Sequence, residues 1–126
     1  MGSVCEEARP PTVLVIDSEP QIVELVARIL SMTGYSVVQA FRAEDAIRLF
    51  DPSSIDLVIA DVDLPDVDGA RLTNRLRAAA PRLPVLHMSG VEGDGERPDY
   101  LKKPFHLDEL RQKVVLLLRA HCGSLS

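Results

Sequence analysis

The fold is decided by Thr12-Val13-Leu14-Val15-Ile16, an unbroken apolar run that is rich in β-branched residues. Because its apolarity is continuous rather than alternating, the run predicts a strand that is buried on both faces, as in a parallel sheet. The run stops at Asp17, and Pro20 suits the first turn of a following helix. Apolar residues then recur at the i, i+3, i+4, i+7, i+8 spacing of one helix face, at Ile22, Leu25, Val26, Ile29 and Leu30.

This unit of strand and helix repeats along the chain. Further strands are predicted at 36–40, 55–60, 84–88 and 100–102. Further helices are predicted at 43–50, through Leu72 and Leu76 to about residue 80 after a loop that contains Pro65 and Gly69, and from 107 to 118. Alternation of this kind predicts an α/β fold, in which a doubly wound parallel five-stranded sheet has helices on both faces and right-handed crossovers. One domain is expected over 12–121, with a flexible lead-in at 1–11 and a C-terminal tail at 122–126.

Composition limits the classes of protein to consider. The 126 residues suit one domain, and 46% apolar residues can fill its core without disulfides. Cys5 and Cys122 stand far apart, without zinc-ligand spacing, and are expected to be free thiols. The net charge of −5 and the scattered basic residues argue against a nucleic-acid surface. Since no apolar run is long enough for a membrane span or a signal peptide, a cytoplasmic location is expected.

Polar residues follow the predicted strands at the points where the strands end. Asp17 follows the first strand, Asp61 and Asp63 the third, Ser89 the fourth and Lys103 the fifth. Open parallel sheets bind ligands at this edge. Crowded carboxylates attract a hard cation such as Mg²⁺, and a carboxylate can act as a nucleophile toward phosphorus. A lysine and a hydroxyl group can stabilise charge on phosphoryl oxygens. Taken singly, Asp17, Asp63, Ser89 or Lys103 is more often a helix cap or a solvated surface group.

Three segments make residues 12 to about 120 resemble the receiver domains of two-component response regulators. They are VLVIDSEP at 13–20, DLVIADVDLPDVDG at 56–69 and YLKKPF at 100–105. In the second segment, Pro65 and Gly69 follow Asp61 by four and eight residues, which is a distinctive spacing. The resemblance implies a flavodoxin-like (βα)₅ fold and a histidine kinase or histidine phosphotransfer protein as partner.

The resemblance also implies a role for each matched residue. Asp61 would be the phosphoacceptor, Asp17 a Mg²⁺ ligand together with Asp61, and Asp63 a ligand through its backbone carbonyl. Ser89 would engage the phosphoryl group, and Lys103 would form an ion pair with it.

The resemblance also implies a switch and a backbone feature. Tyr100 would change rotamer on activation, and Ser89 would act with it as a switch residue. The peptide bond between Lys103 and Pro104 would be cis, a form that is accessible before proline.

Two departures from the family pattern stand out. Ser18 occupies the place of the second acidic residue, so Mg²⁺ binding is expected to be weak; Glu19 could compensate but is expected to point outward. Only 13 residues separate Ser89 from Lys103, which is fewer than is usual in the family. The fourth helix is therefore expected to be shortened or absent, and 90–99, which is rich in glycine, is predicted to form a loop.

Three functions are consistent with these residues. The first is a receiver that is phosphorylated on Asp61, catalyses at most its own phosphotransfer and dephosphorylation, and switches a face that binds an output protein. The second is a pseudo-receiver that acts as an interaction module without phosphorylation, as Ser18 would suggest. The third is a phosphohydrolase of the haloacid-dehalogenase type, whose DxD motif Asp61-Val62-Asp63 matches, although the chain is short for such an enzyme. His87, His106 and His121 lack metal-ligand spacing and receive no role.

Overall fold

The computed structural model describes residues 10–67, 69–90 and 99–123, with side chains as far as residue 120. Its strands are β1 (Thr12–Ile16), β2 (Ser36–Ala40), β3 (Leu57–Asp61), β4 (Val85–Ser89) and β5 (Tyr100–Lys102). Its helices are α1 (Pro20–Met32), α2 (Ala43–Leu49), α3 (Gly69–Ala79) and α4 (Leu107–Gly123). None of the helices in these ranges is long and apolar enough to cross a membrane.

The five strands form one parallel sheet in the order β2-β1-β3-β4-β5. The chain moves outward from β1 in both directions, so the order reverses between β1 and β3. This is the flavodoxin-like order, and the reversal opens a crevice at the carboxyl ends of these two strands. The predicted α/β fold with a doubly wound parallel sheet is confirmed.

Both faces of the sheet are buried, as the continuous apolar strands predict. One face carries Val13, Val15 and Leu57 against α1 and α4. The opposite face carries Leu14 and Ile16 against α2 and α3. Because side chains alternate between the two faces of a strand, each apolar residue of β1 and β3 packs into one of the two hydrophobic cores.

The helix and strand bounds differ from the sequence expectation by a few residues, for local reasons. Strand β3 begins at Leu57 rather than at residue 55, because the Ile55 amide donates to the Asp51 carbonyl (2.9 Å) and closes a turn. Helix α1 begins at Pro20 as expected. It is followed by Gly34 at φ 103°, a left-handed conformation that glycine adopts without strain.

The connection between β4 and β5 is described only at its two ends. Gly90 and Asp99 are not helical, and residues 91–98 lie outside the described part of the chain. The loop predicted at 90–99 therefore stays a prediction, while four helices are present in the residues that the structure describes. Residues 1–9 of the predicted lead-in and 124–126 of the predicted tail also lie outside the described ranges.

Candidate functional site

The carboxyl ends of β1, β3 and β5 bring two carboxylates and an ammonium group together. Asp17 follows β1 and is completely buried, and Asp61 ends β3 with 7% of its surface exposed. The Nζ atom of Lys103 lies 2.6 Å from Asp17 Oδ2 and 3.5 Å from Asp61 Oδ2. The sequence-predicted nucleophile and its two charged neighbours therefore share one site, although Asp17 and Lys103 are 86 residues apart.

Local backbone amides orient both carboxylates toward the lysine. Asp17 Oδ1 accepts a hydrogen bond from the Glu19 amide at 2.9 Å. In the same way, Asp61 Oδ1 accepts one from the Asp63 amide at 3.2 Å. Aspartate often bonds the backbone two residues on in this way. Since each Oδ1 is held by its own loop, each Oδ2 is turned to Lys103.

Burial and neighbouring charges leave the pKa of both Asp61 and Lys103 raised, for different reasons. Burial raises the pKa of Asp61, and the neighbouring charge of Asp17 raises it further, against the lowering effects of the Asp63 amide and Lys103. Burial alone would lower the pKa of Lys103, but the hydrogen bond and charge of Asp17, with the charge of Asp61, raise it overall. Lys103 is thus held as a cation, and its charge only partly offsets the effect of burial on the Asp61 carboxylate.

Gly69 lets the first turn of α3 lie directly against the backbone that carries Asp61. A Cβ atom at this position would lie 2.8 Å from Val62 Cα and 3.1 Å from the Asp61 carbonyl oxygen. The Gly69 amide also donates to the Val62 carbonyl at 3.0 Å. Only glycine fits this approach, which explains the glycine eight residues after Asp61 in physical terms.

Ser89 and Tyr100 lie on the neighbouring strands β4 and β5. Ser89 ends β4 with 4% exposure, and its carbonyl accepts a hydrogen bond from the Lys103 amide at 2.7 Å. Tyr100 begins β5, at the opposite end of that strand from Lys103, and is half-buried. The bond between Lys103 and Pro104 is cis, the geometry that the family resemblance implies.

The side chains around Asp17 differ in how far they turn toward the site. Ser18 is exposed, and so is the side chain of Asp63, whose backbone holds Asp61. Glu19 is 55% exposed, but its Oε1 atom lies 3.9 Å from Lys103 Nζ. Its carboxylate therefore faces the rim of the site, whereas the sequence led us to expect that it points outward.

The carboxylate oxygens of Asp17 and Asp61 fit a magnesium ion that retains several of its water ligands. Within the described residues, no group of three or more His, Cys, Asp and Glu side chains is arranged to hold a metal. Asp17 and Asp61 nevertheless present two hard oxygen ligands at one point, and Mg²⁺ in proteins usually retains several waters and uses one or two carboxylates. Burial raises the pKa of Asp61, and the charge of Asp17 raises it further. A cation bound between the two carboxylates would relieve this repulsion.

Two side chains with structural roles near the site were not singled out from the sequence. His87, which we assigned no role, stacks on Tyr100 with ring centroids 5.1 Å apart. Asp66 accepts hydrogen bonds from the first amides of α2, at Ala43 (3.1 Å) and Glu44 (3.0 Å). For His87, the signal in the sequence was a lone histidine inside an apolar strand. For Asp66, it was the start of helix α2 after Arg42, a residue without a capping side chain, which calls for a cap from elsewhere.

Comparisons with known proteins agree with the geometry. A family model described as the response regulator receiver domain matches residues 13–115. The chain is 35% identical over 122 residues to the probable transcriptional regulatory protein TcrX of Mycobacterium tuberculosis, covering 90% of this chain and 50% of that protein. It is 35% identical over 118 residues to the response regulator MprA of Mycolicibacterium vanbaalenii, covering 87% of this chain and 51% of that protein. The chain therefore spans about half the length of these curated relatives.

Solved structures give the same result for the fold. The signal receiver domain of an HD domain-containing protein from Pseudomonas fluorescens Pf-5 is 26% identical, with a TM-score of 0.80 over 91% of this chain and 99% of that chain. The response regulator TrrA from Thermotoga maritima, solved in complex with Mg(2+)-BeF, is 28% identical, with a TM-score of 0.74 over 85% of this chain and 98% of that chain.

Proposed function

Because this chain belongs to the family of response regulator receiver domains, we propose that it is a phosphoacceptor signalling domain in which Asp61 takes a phosphoryl group. The observation that carries this proposal is the position of Asp61 at the end of β3, with its Oδ2 atom 3.5 Å from the ammonium group of Lys103. A carboxylate held in this way is an oriented nucleophile with a cation beside the charge that its reaction creates.

The proposed transfer forms one bond and breaks one. Asp61 Oδ2 attacks the phosphorus of a phosphohistidine, the bond from phosphorus to the imidazole nitrogen breaks, and the nitrogen keeps the electron pair. The Lys103 ammonium group then forms an ion pair with a phosphoryl oxygen. The Ser89 hydroxyl group, on the buried end of the next strand, donates a hydrogen bond to another. The chain turns over no substrate beyond its own phosphorylation and dephosphorylation.

Magnesium is the proposed cofactor. It would be held by Asp17 and Asp61, with the Asp63 carbonyl as a further ligand, and would supply charge neutralisation at the phosphoryl oxygens. Ser18, which is neutral, offers no carboxylate, so the affinity for Mg²⁺ is proposed to be low. The Mg(2+)-BeF complex of TrrA supports the assignment, since that protein has the same fold.

The proposed partners follow from the same role. A histidine kinase or a histidine phosphotransfer protein would supply the phosphoryl group, and an output protein or domain would respond to a changed face of the chain. Among the relatives are proteins named as transcriptional regulators, and this chain spans about half of their length. The domain itself is proposed to act in the cytoplasm through protein contacts, with no direct contact to nucleic acid or membrane.

Intact mass spectrometry after treatment with acetyl phosphate and Mg²⁺ tests the proposal. The unmodified chain should gain one phosphoryl mass, and Asp61→Asn should abolish the gain. Asp45→Asn is a matched control, because it also removes one carboxylate but lies on α2, where it pairs with Arg48 at the surface. Unchanged labelling of Asp61→Asn would show that another residue is the acceptor.

A second candidate is a pseudo-receiver that works without phosphorylation. Ser18 favours it, and so does the 2.6 Å contact of Lys103 with Asp17, because the ammonium group already compensates the carboxylate that a metal would use. Absence of labelling in the unmodified chain, even at high Mg²⁺, would support this candidate against the first.

A further inference from the structure

We propose that His87 positions the ring of Tyr100 and couples it, through the Thr73 hydroxyl group, to the backbone that carries Asp61. The positioning part of this inference stands on contacts between described residues. The coupling to activation rests on the function proposed above, in which Asp61 is modified and Tyr100 responds.

The first step is the contact between α3 and the Asp61 loop. Helix α3 begins at Gly69, whose amide donates to the Val62 carbonyl at 3.0 Å. The absent Cβ of Gly69 is what allows the helix to approach within van der Waals contact of the Asp61 carbonyl. A shift of the loop after Asp61 would therefore move the first turn of α3.

The second step is a hydrogen-bond chain within the fold. The Thr73 hydroxyl group is buried and donates to the Gly69 carbonyl at 2.8 Å. Its oxygen lies 3.0 Å from His87 Nε2. A hydroxyl group has one proton to donate. With that proton on the Gly69 carbonyl, the Nε2–H tautomer of His87 donates in the second bond. The two contacts together hold the His87 ring against α3.

The third step is the stack of two rings on adjacent strands. His87 on β4 and Tyr100 on β5 are register partners, and their rings stack at 5.1 Å with an interplanar angle of 29°. Lys113 on α4 donates to the Tyr100 carbonyl, so the backbone of this residue is held from the other face. The ring of Tyr100 is consequently positioned by His87, and His87 by Thr73.

Double-mutant analysis on the unmodified chain tests the positioning directly. The chain has two tyrosines, so in NMR of ¹³C-labelled tyrosine rings Tyr100 gives the signal to be followed and Tyr35 serves as the internal reference. Thr73→Val removes the hydroxyl group without a large change of volume, and His87→Phe keeps a ring for stacking but loses the hydrogen bond. Thr73→Val should move the Tyr100 signal in the wild-type background and leave it in place in the His87→Phe background.

The matched control is Thr33→Val. The Thr33 hydroxyl group makes the same bond to a carbonyl four residues earlier, Ile29 at 2.8 Å, but it lies on the exposed end of α1, away from His87. This variant should not move the Tyr100 signal. Equal movement of the signal by Thr73→Val with and without His87, or none at all, would overturn the positioning inference whatever happens at Asp61.

A second measurement, with acetyl phosphate and Mg²⁺, separates this inference from the proposed function. If the wild type is labelled, the Tyr100 signal should respond. In Thr73→Val and His87→Phe, labelling of Asp61 should persist. The equilibrium between the Tyr100 ring environments of the unlabelled and the labelled chain should shift about two- to thirtyfold, the range by which mutations in packed networks change coupling. A full wild-type response in both labelled variants would refute the coupling. Absence of labelling in the wild type would refute the proposed function and its coupling, and leave the positioning to the first measurement.

Discussion

Lys103 is the residue on which the charge balance of the site depends. Its ammonium group lies within 4 Å of three carboxylates, at 2.6 Å from Asp17, 3.5 Å from Asp61 and 3.9 Å from Glu19. The Asp17 contact is the shortest of the three, and Asp17 is completely buried. A buried carboxylate without its partner is strongly destabilising, so the Asp17 contact has a structural role in addition to any chemical one.

Ser18→Asp is expected to tighten Mg²⁺ binding. The change restores a carboxylate beside Asp17, and a lost ligand or its support typically weakens metal binding about 10–100-fold. Isothermal titration with Mg²⁺ measures the change directly, and labelling of Asp61 at low Mg²⁺ should become faster.

Glu19→Ala is the companion variant for Ser18. Because the Glu19 side chain is 55% exposed and 3.9 Å from Lys103, solvent screens its charge and its removal should change Mg²⁺ affinity little. Loss of Mg²⁺ binding in Glu19→Ala, together with no gain in Ser18→Asp, would mean that Glu19 has taken over the ligand role.

Gly69→Ala is expected to destabilise the fold and slow labelling of Asp61. The new Cβ would meet backbone atoms, Val62 Cα at 2.8 Å and the Asp61 carbonyl at 3.1 Å. Relief requires movement of the loop, which costs about 1–3 kcal/mol for overpacking of this kind. Urea unfolding measures the cost. Gly90→Ala is the matched control: a Cβ there meets nothing within 4 Å, so an equal loss of stability in both variants would rule out the steric cause.

At the scale of elements, the short helix α2 obtains its cap from a distant loop. Its own N-terminal residue, Arg42, provides no capping side chain. Asp66, 23 residues away, accepts hydrogen bonds from the amides of Ala43 and Glu44 instead. The segment that follows Asp61 therefore bonds to α2 through Asp66 and to α3 through Gly69, so that one loop orients both helices of this face.

Removal of the Asp66 cap should destabilise the chain in a pH-dependent way. Asp66→Ala should lower the free energy of unfolding by about 1 kcal/mol, as for other helix caps. Although burial acts to raise it, the pKa of Asp66 is lowered overall by the amides of Glu44 and Ala43. An aspartate whose folded pKa lies below its unfolded value of about 3.9 stabilises the fold above that pH and loses the effect as pH falls through the folded pKa.

The difference in stability between wild type and Asp66→Ala should therefore be constant near neutral pH and shrink below about pH 4. Urea unfolding at several pH values checks this. Asp45→Asn, which removes a surface carboxylate that pairs with Arg48, should have a small effect at all pH values. A difference for Asp66→Ala that stays constant to low pH would contradict a role for the ionised carboxylate.

For the whole molecule, the two faces of the sheet are covered unequally at the β4–β5 edge. On one face, Met88 and Leu101 are completely buried under α1 and α4. On the other face, His87, Tyr100 and Lys102 are only half-buried in the described part of the chain. In sequence, only residues 90–99 connect β4 to β5.

The crossover is expected to lack a regular helix. Gly90, Gly93 and Gly95 fall within one short stretch, and each glycine costs about 1 kcal/mol in a helix relative to alanine. Hydrogen exchange should show rapid amide exchange across residues 90–99, with α4 as a protected reference. Strong protection over two helical turns in this segment would refute the prediction.

The sequence by itself determined the sheet and the membership of the site. Continuous apolar strands need burial on both faces, and their alternation with helices specifies a parallel sheet with helices on each side. In such a sheet the carboxyl ends of the strands share one edge, so Asp17, Asp61 and Lys103 could be placed together from their positions after three strands. The spacing of Pro65 and Gly69 after Asp61 then indicated the family.

Only the tertiary structure decided which side chains contact one another across the chain. The orientation of Glu19 toward Lys103, the cap from Asp66 to α2 and the chain from Thr73 through His87 to Tyr100 follow no local pattern. Their partners lie 84, 23 and 14 residues apart for Glu19–Lys103, Ala43–Asp66 and Thr73–His87. Periodicity and propensity report which face of an element is buried, whereas a hydrogen bond depends on distances of a few tenths of an ångström that packing alone sets.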